Sequence, residues 1–204
     1  MTESKIYGHY GLVEDAIGEV MASTFKNFEF ELHRQTSSQS VERGAYVVVN
    51  NESSYIIGVV TDTKLVVVGS GSTRPLRLKS SPAEIDQTLP DLRDRIYNSY
   101  DATIVGEYSE GDYIEAEHTH HAIVHAQVYT MNAKDIGRFT SLPCDYLHLL
   151  YEKGGVDSVL SHFKYLKNFM NESEYEKFVK GGVKMLHIRG FDDLCLMVVS
   201  LIGR

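Results

Sequence analysis

Between residues 16 and 63 the chain is cut into short runs of β-branched and aromatic side chains, and this spacing limits the fold more than any other feature. Phe28-Glu29-Phe30-Glu31-Leu32 alternates apolar and acidic residues with a period of two, the pattern of a strand with one buried face. That run lies within residues 25–33, and similar segments occupy 16–21, 41–50, 55–60 and 64–69. Asn50-Asn51 supplies turn chemistry between two of them. Gly18, Gly44 and Gly58 each interrupt a strand-like run, as glycines do at the bulges and corners of small barrels. Short strands at close spacing predict a small antiparallel β-barrel.

Ser81-Pro82-Ala83-Glu84 combines a Ser N-cap, a Pro at the first helical position and a Glu three residues after the cap. Ile85, Leu89, Leu92 and Ile96 follow at helical spacing, so a helix is expected near 81–99, kinked or divided at Pro90. Segments 103–108 and 121–130 return to strand character. The first unit is therefore 1–140, a barrel with an inserted helix. Residues 141–204 read as a helical extension. One helix there carries Leu147, Leu150 and Tyr151 and stops at Gly154-Gly155. A second, capped by Asp157, carries Val159, Leu160, Phe163, Leu166 and Met170 on one face. Ser173-Glu174-Tyr175-Glu176 opens a third, ended by Gly181-Gly182, and the segment from Leu194 to Ile202 is apolar nearly all round. The predicted class is α+β, a small antiparallel β-barrel followed by a C-terminal helical region.

The ordered set Ile17-Gly18-Glu19-Val20, Phe28-Glu29-Phe30-Glu31-Leu32, Gly44-Ala45-Tyr46-Val47-Val48-Val49 and Ile57-Gly58-Val59-Val60 resembles the HAS-barrel, the small barrel named from the HerA helicase/translocase and ATP synthase. The resemblance covers roughly residues 14–70 and extends more loosely over the return strands to 130. It implies an N-terminal barrel that helps an ATP-driven ring assemble or docks a partner such as a NurA-type nuclease, without being catalytic. The ATPase core of that family needs a G-x-x-x-x-G-K-[ST] loop, and this chain has no such string. Its nearest Gly-rich segment, Gly69-Ser70-Gly71-Ser72-Thr73-Arg74, lacks the Lys and reads as a hairpin loop. The resemblance thus implies a barrel without its motor: an archaeal-type, intracellular adaptor in DNA end processing, its partner a HerA-like ATPase or a NurA-like nuclease.

The sharpest candidate for chemistry is the segment 118–125. His118, His120, His121 and His125 fall within eight residues, and Glu117 precedes them. On a strand, His118 and His120 would share one face and His121 and His125 the other. An H-x-H pair beside Glu117 has the donor chemistry for Zn²⁺ or another divalent metal. The alternatives are a polar hairpin with solvated histidines, or a pH switch in which neighbouring carboxylates favour the imidazolium. Such a segment would serve a small metal-dependent enzyme or a metal/pH sensor. Otherwise no cofactor is expected. Cys144 lies four residues before His148, but both Cys144 and Cys195 are expected as buried small hydrophobes. Asp192-Asp193 is expected to cap the last helix.

Charge narrows the partners. The 204 residues carry a net charge of −8. Residues 1–140 hold 12 Lys and Arg against 20 Asp and Glu, whereas 141–204 hold eight of each. An acidic barrel excludes a general polyanion binder, so direct nucleic-acid binding is not expected and a basic protein partner is. Basic residues cluster only at Arg74, Arg77 and Lys79 and among the helical lysines. No apolar run approaches the roughly 18–20 residues of a membrane span. A polar start and only two cysteines point to the reducing cytoplasm. The nearly all-apolar last segment must be buried in the domain or against another chain, and a homo-oligomer through this end is the corresponding expectation.

Overall fold

The computed structural model describes residues 10–33, 40–67, 87, 96–115 and 120–202. Its strands are β1 (Gly18–Ser23), β2 (Asn27–Leu32), β3 (Tyr46–Asn50), β4 (Tyr55–Val67), β5 (Ile96–Ser109), β6 (Asp112–Glu115) and β7 (Gln127–Thr130). Four helices follow: α1 (Ala133–Phe139), α2 (Leu147–Leu166), α3 (Glu172–Ile188) and α4 (Asp192–Ile202). The sheet runs β2-β1-β7-β3-β4-β5-β6, and a further antiparallel pairing of β2 with β5 closes it, with β6 attached outside as a hairpin on β5. The fold is a closed six-stranded antiparallel barrel with helices packed on part of its outer wall.

Alternation along each strand sorts the core into two layers. Val20, Phe28, Phe30, Val47, Val49, Ile56, Tyr100, Ile104 and Val128 fill the barrel interior. Phe30 stacks on Tyr100 with ring centroids 5.1 Å apart. Tyr46, Val48, Ile57, Val59, Val105 and Tyr129 point the other way, into a second core shared with Phe139, Leu147, Leu150, Phe163 and Leu166 of the helices. Strand β3 is consequently buried on both faces, which explains why Tyr46-Val47-Val48-Val49 is a continuous apolar run.

Several sequence expectations shift. Segments 55–60 and 64–67 belong to one long strand, because a register shift between Val60 and Asp62 absorbs the polar interruption without a turn; residues 68 and 69 of the second expected strand lie outside the described residues. Strand β5 begins at Ile96, opposite Val67, so the end of the expected 81–99 helix is strand; most of that helix, and the Gly69–Arg74 and Arg74–Lys79 stretches, lie outside the described residues. Of 121–130 only Gln127–Thr130 is strand. Helix α1, capped by the Asn132 side chain on the Asp135 N–H, occupies a stretch with no expected element. The chain does break at Gly155, where φ is 66° and ψ −164°, a conformation open to glycine alone. It does not break at Gly181-Gly182: α3 runs through, and Gly182 has no side chain where a Cβ would lie 2.6 Å from Leu147 Cδ1. Glycine there permits helix packing. It is not a stop signal.

Gly44 precedes β3 with φ +89°, and a Cβ built on it would sit 2.5 Å from the Ser161 carbonyl of α2. Gly111 also has positive φ, +98°, but faces open space. Gly44→Ala should therefore cost about 2–4 kcal/mol in urea unfolding, against about 1–2 kcal/mol for Gly111→Ala, the difference measuring the close approach of barrel and helix.

Candidate functional site

The histidine segment folds as a loop over one end of the barrel. His120 through Ala126 is not strand, so the two-faced arrangement expected for it does not form; His118 and Glu117 lie outside the described residues. Asn51, 6% exposed, pins the loop with both ends of its amide: Nδ2 donates to the His121 carbonyl and Oδ1 accepts from the Ile123 N–H, each at 2.9 Å. The three described histidines then diverge. The His120 ring lies 3.1 Å from both oxygens of the Glu107 carboxylate. His121 packs edge-on against Phe25, with centroids 5.5 Å apart. His125, held at φ 68°, reaches back to pair its Nδ1 with Glu19. Among the described residues no group of three or more His, Cys, Asp or Glu side chains stands placed to hold a metal ion.

Glu107 is the buried member of this loop's anchorage, 3% exposed on β5. Burial pushes its carboxyl up, but hydrogen bonds from Ser54 and from the backbone and ring of His120 outweigh burial and hold it below the usual glutamate range. The group is a fixed acceptor that ties the loop to the barrel.

The outer wall not covered by helices is acidic. Register places Glu19 of β1 opposite Glu31 of β2, and Glu29 of β2 opposite Asp101 of β5. Like charges directly across a strand pair cost stability. Burial and the neighbouring charges of Glu29 and Glu19 raise the Glu31 carboxyl, against a hydrogen bond from Tyr97. Compensation is partial: Ser99 Oγ donates to Glu29 at 2.5 Å, Lys64 Nζ lies 2.7 Å from Asp101, and His125 pairs with Glu19. The alternation of Glu29 and Glu31 with phenylalanines puts both on the solvent side in the sequence alone. Their juxtaposition with Glu19 and Asp101 depends on barrel closure, which no local signal reveals.

The remaining chemistry-bearing side chains hold the barrel to its helices. His162, fully buried on α2, donates from Nδ1 to the Gly44 carbonyl at 2.7 Å. Its Nε2 then accepts from the Tyr146 hydroxyl at 3.0 Å, and Tyr146 in turn accepts from the Tyr46 hydroxyl of β3. This relay was not legible, since His162 reads as one more polar residue on a helix. Burial pushes the His162 imidazole down to about 4, against the Gly44 carbonyl, which favours the charged form. Near it, Glu115 accepts from the Cys144 N–H at 2.9 Å. Burial, reinforced by Glu115, pushes the Cys144 thiol up to about 12, and the His148 ring bonds to the Asp145 carbonyl. Cys144 and Cys195 are both buried, as expected, and a thiol so protonated is no nucleophile at neutral pH. At α4, Asp192 and Asp193 lie in the first turn, and His187 pairs with Asp192.

No family model matches the chain, and no curated protein matches its sequence. No helix among the described residues is long and apolar enough to cross a membrane.

The buried imidazole has a signed consequence. Its folded-state value is depressed, so the unfolded chain takes up a proton that the folded chain refuses, and stability falls as pH drops from 6.5 towards about 4. The loss from this group alone reaches about 3 kcal/mol at the acid end. His162→Gln should cost about 1–2 kcal/mol at pH 7 through imperfect replacement of the relay, yet lose stability less steeply on acidification. Urea midpoints of both proteins across this range measure the difference in slope.

Proposed function

We propose that the chain is a non-catalytic assembly module whose bare acidic barrel wall docks a basic protein surface. The observation that supports this most directly is the pairing of carboxylates across strands, Glu19 with Glu31 and Glu29 with Asp101. A free barrel gains nothing from such pairs, whereas a partner presenting Lys or Arg would relieve the repulsion and convert it into attraction. The HAS-barrel resemblance supplies the partner class: a HerA-like ATPase ring, or the NurA-like nuclease that acts with it in DNA end processing. In this reading the module contributes contacts and no chemistry, and its route to nucleic acid runs through the basic surface of another protein.

Glu31→Lys separates the two roles of the wall. The variant should be about 0.5 kcal/mol more stable than wild type at pH 7, because it replaces a like-charge contact. That gain should fade as pH falls through the raised value of the wild-type carboxyl, since protonation removes the repulsion there too. Binding to an immobilised HerA-like hexamer or NurA-like nuclease should weaken at least ~10-fold, about 1.4 kcal/mol. Wild-type protein that binds neither, or a variant that binds as well as wild type, defeats the reading.

A second reading, a small metal-dependent enzyme or a metal/pH sensor, keeps one supporting observation: His120 and His125 present exposed rings on the same loop, each against a carboxylate. It predicts near-stoichiometric zinc or another divalent metal in the purified protein, lost in His118→Ala/His120→Ala. Elemental analysis finding no metal removes it.

A further inference from the structure

The acidic wall already holds one lysine. Strand register sets its side chains in rows: Glu29 of β2, Asp101 of β5 and Asp62 of β4 lie opposite one another across three strands. Two residues further along, Glu31, Ser99 and Lys64 form the next row, and Glu19 of β1 meets Glu31 from the other side. Side chains directly opposite in an antiparallel pair share a face, so the carboxylates of Glu19, Glu29, Glu31, Asp62 and Asp101 stand on one surface. Strands β1, β2, β4 and β5 contain a single Lys or Arg between them, Lys64.

Lys64 sits where a lysine from outside would sit. Its Nζ lies 2.7 Å from the Asp101 carboxylate, with the lysine side chain 50% exposed and the aspartate 12%. That hydrogen bond holds the ammonium above the ordinary lysine range, against slight burial, and the charges of Asp101, Glu29 and Asp62 add to it. The ammonium therefore stands in the combined field of three carboxylates. An ion pair half in water is weakly held, so Lys64 can leave Asp101 without disturbing the barrel. Two ammonium groups cannot occupy this position together, because they repel.

We infer that Lys64 is a built-in competitor of the basic partner: its ammonium occupies the Asp101 position that a lysine of the docking surface takes, and docking displaces it. The inference rests on the reading of this wall as a docking surface, and it says what kind of surface docks. A partner offering one isolated lysine gains little, since one ammonium merely replaces another. A partner offering several also meets Glu29, Glu31 and Asp62, which a single Lys64 cannot serve at once. The resident lysine thus makes the wall select clustered lysines over scattered ones, because specificity is a difference between the incoming contacts and those given up.

Fluorescence polarisation of labelled hexalysine, titrated with the whole chain at about 50 mM salt to limit screening, tests this. Lys64→Met keeps the length of the stem, removes the charge and should tighten binding at least about threefold. Lys177→Met, at an exposed position of α3, makes the same change in net charge away from the wall and should tighten it far less. Beside Asp101→Asn, the gain from Lys64→Met should fall to that of Lys177→Met, because the resident lysine has lost its seat. The same concentration of lysine supplied as Nα-acetyl-lysine amide should displace almost none of the peptide from the wild-type chain. A Lys64→Met gain no larger than that of Lys177→Met overturns the inference, as does a gain undiminished beside Asp101→Asn. Displacement by the single lysine as effective as by hexalysine overturns the preference for clusters. If Glu31→Lys still weakens hexalysine binding in those cases, the docking wall stands and only the competitor falls. Hexalysine that fails to bind, or binds without regard to Glu31→Lys, removes both.

Discussion

Strand β3 has no side turned to water, and the rest of the molecule is arranged around that fact. Val47 and Val49 close the barrel interior, while Tyr46 and Val48 face the helices, so the same five-residue strand is the wall between two cores. A strand buried on both faces must be apolar throughout, yet Tyr46 carries a hydroxyl. In a dry core that group costs more than the ring gains unless it finds a partner. The relay from Tyr46 through Tyr146 and His162 to the Gly44 carbonyl meets this demand and ends on the backbone just before the strand it starts from. The loop of hydrogen bonds fixes where α2 sits. It also explains why Gly44 has no side chain: α2 must come close enough for an imidazole to reach its carbonyl. Among the described residues every buried side-chain polar atom has such a partner.

The two halves of the barrel's outer wall divide the labour. One half, on β3, β7 and the adjoining ends of β4 and β5, is sealed by helices and contributes stability. The other, on β1, β2 and the opposite ends of β4 and β5, sets carboxylates opposite one another, with Lys64, Ser99 and His125 compensating them in part. The difference is electrostatic: the covered half meets its carboxylates Asp135 and Asp145 with Arg138 and Arg189, whereas the other half sets carboxylates opposite one another across its strands. Uneven charge along the chain, with the whole acidic excess before residue 141, is the linear trace of this division.

How much of this the chain announces depends on whether the cause is local. The alternation around Phe28 and Phe30 is a property of consecutive residues, and both rings are inside the barrel. The break at Gly155 is local too, as is the α3 N-terminus, where the Asn171 and Glu174 side chains form the capping box, two residues ahead of where the Ser-x-x-Glu pattern suggested. What failed was decided by distant partners. Residues 96–99 follow a helical spacing but are drawn into β5 by β4, which offers a full ladder of backbone bonds. Residues 121–126 have strand composition but are pulled into a loop by Asn51, some seventy positions earlier. Gly181-Gly182 looks like a stop signal until Leu147 is seen to fill the space. The acidic wall and the His162 relay likewise assemble from several strands and helices, so neither is visible until the barrel is closed.

The register of β4 against β5 has a consequence for how such a chain can vary. Val67 and Ile96 are paired residues, so the described parts of β4 and β5 end side by side on one ladder. Whatever lies between them is, topologically, the connection of a hairpin. The entropy of closing such a connection grows only with the logarithm of its length, so the barrel is almost indifferent to what it contains. A change of chain length between those two paired ends would therefore cost the barrel little closure entropy.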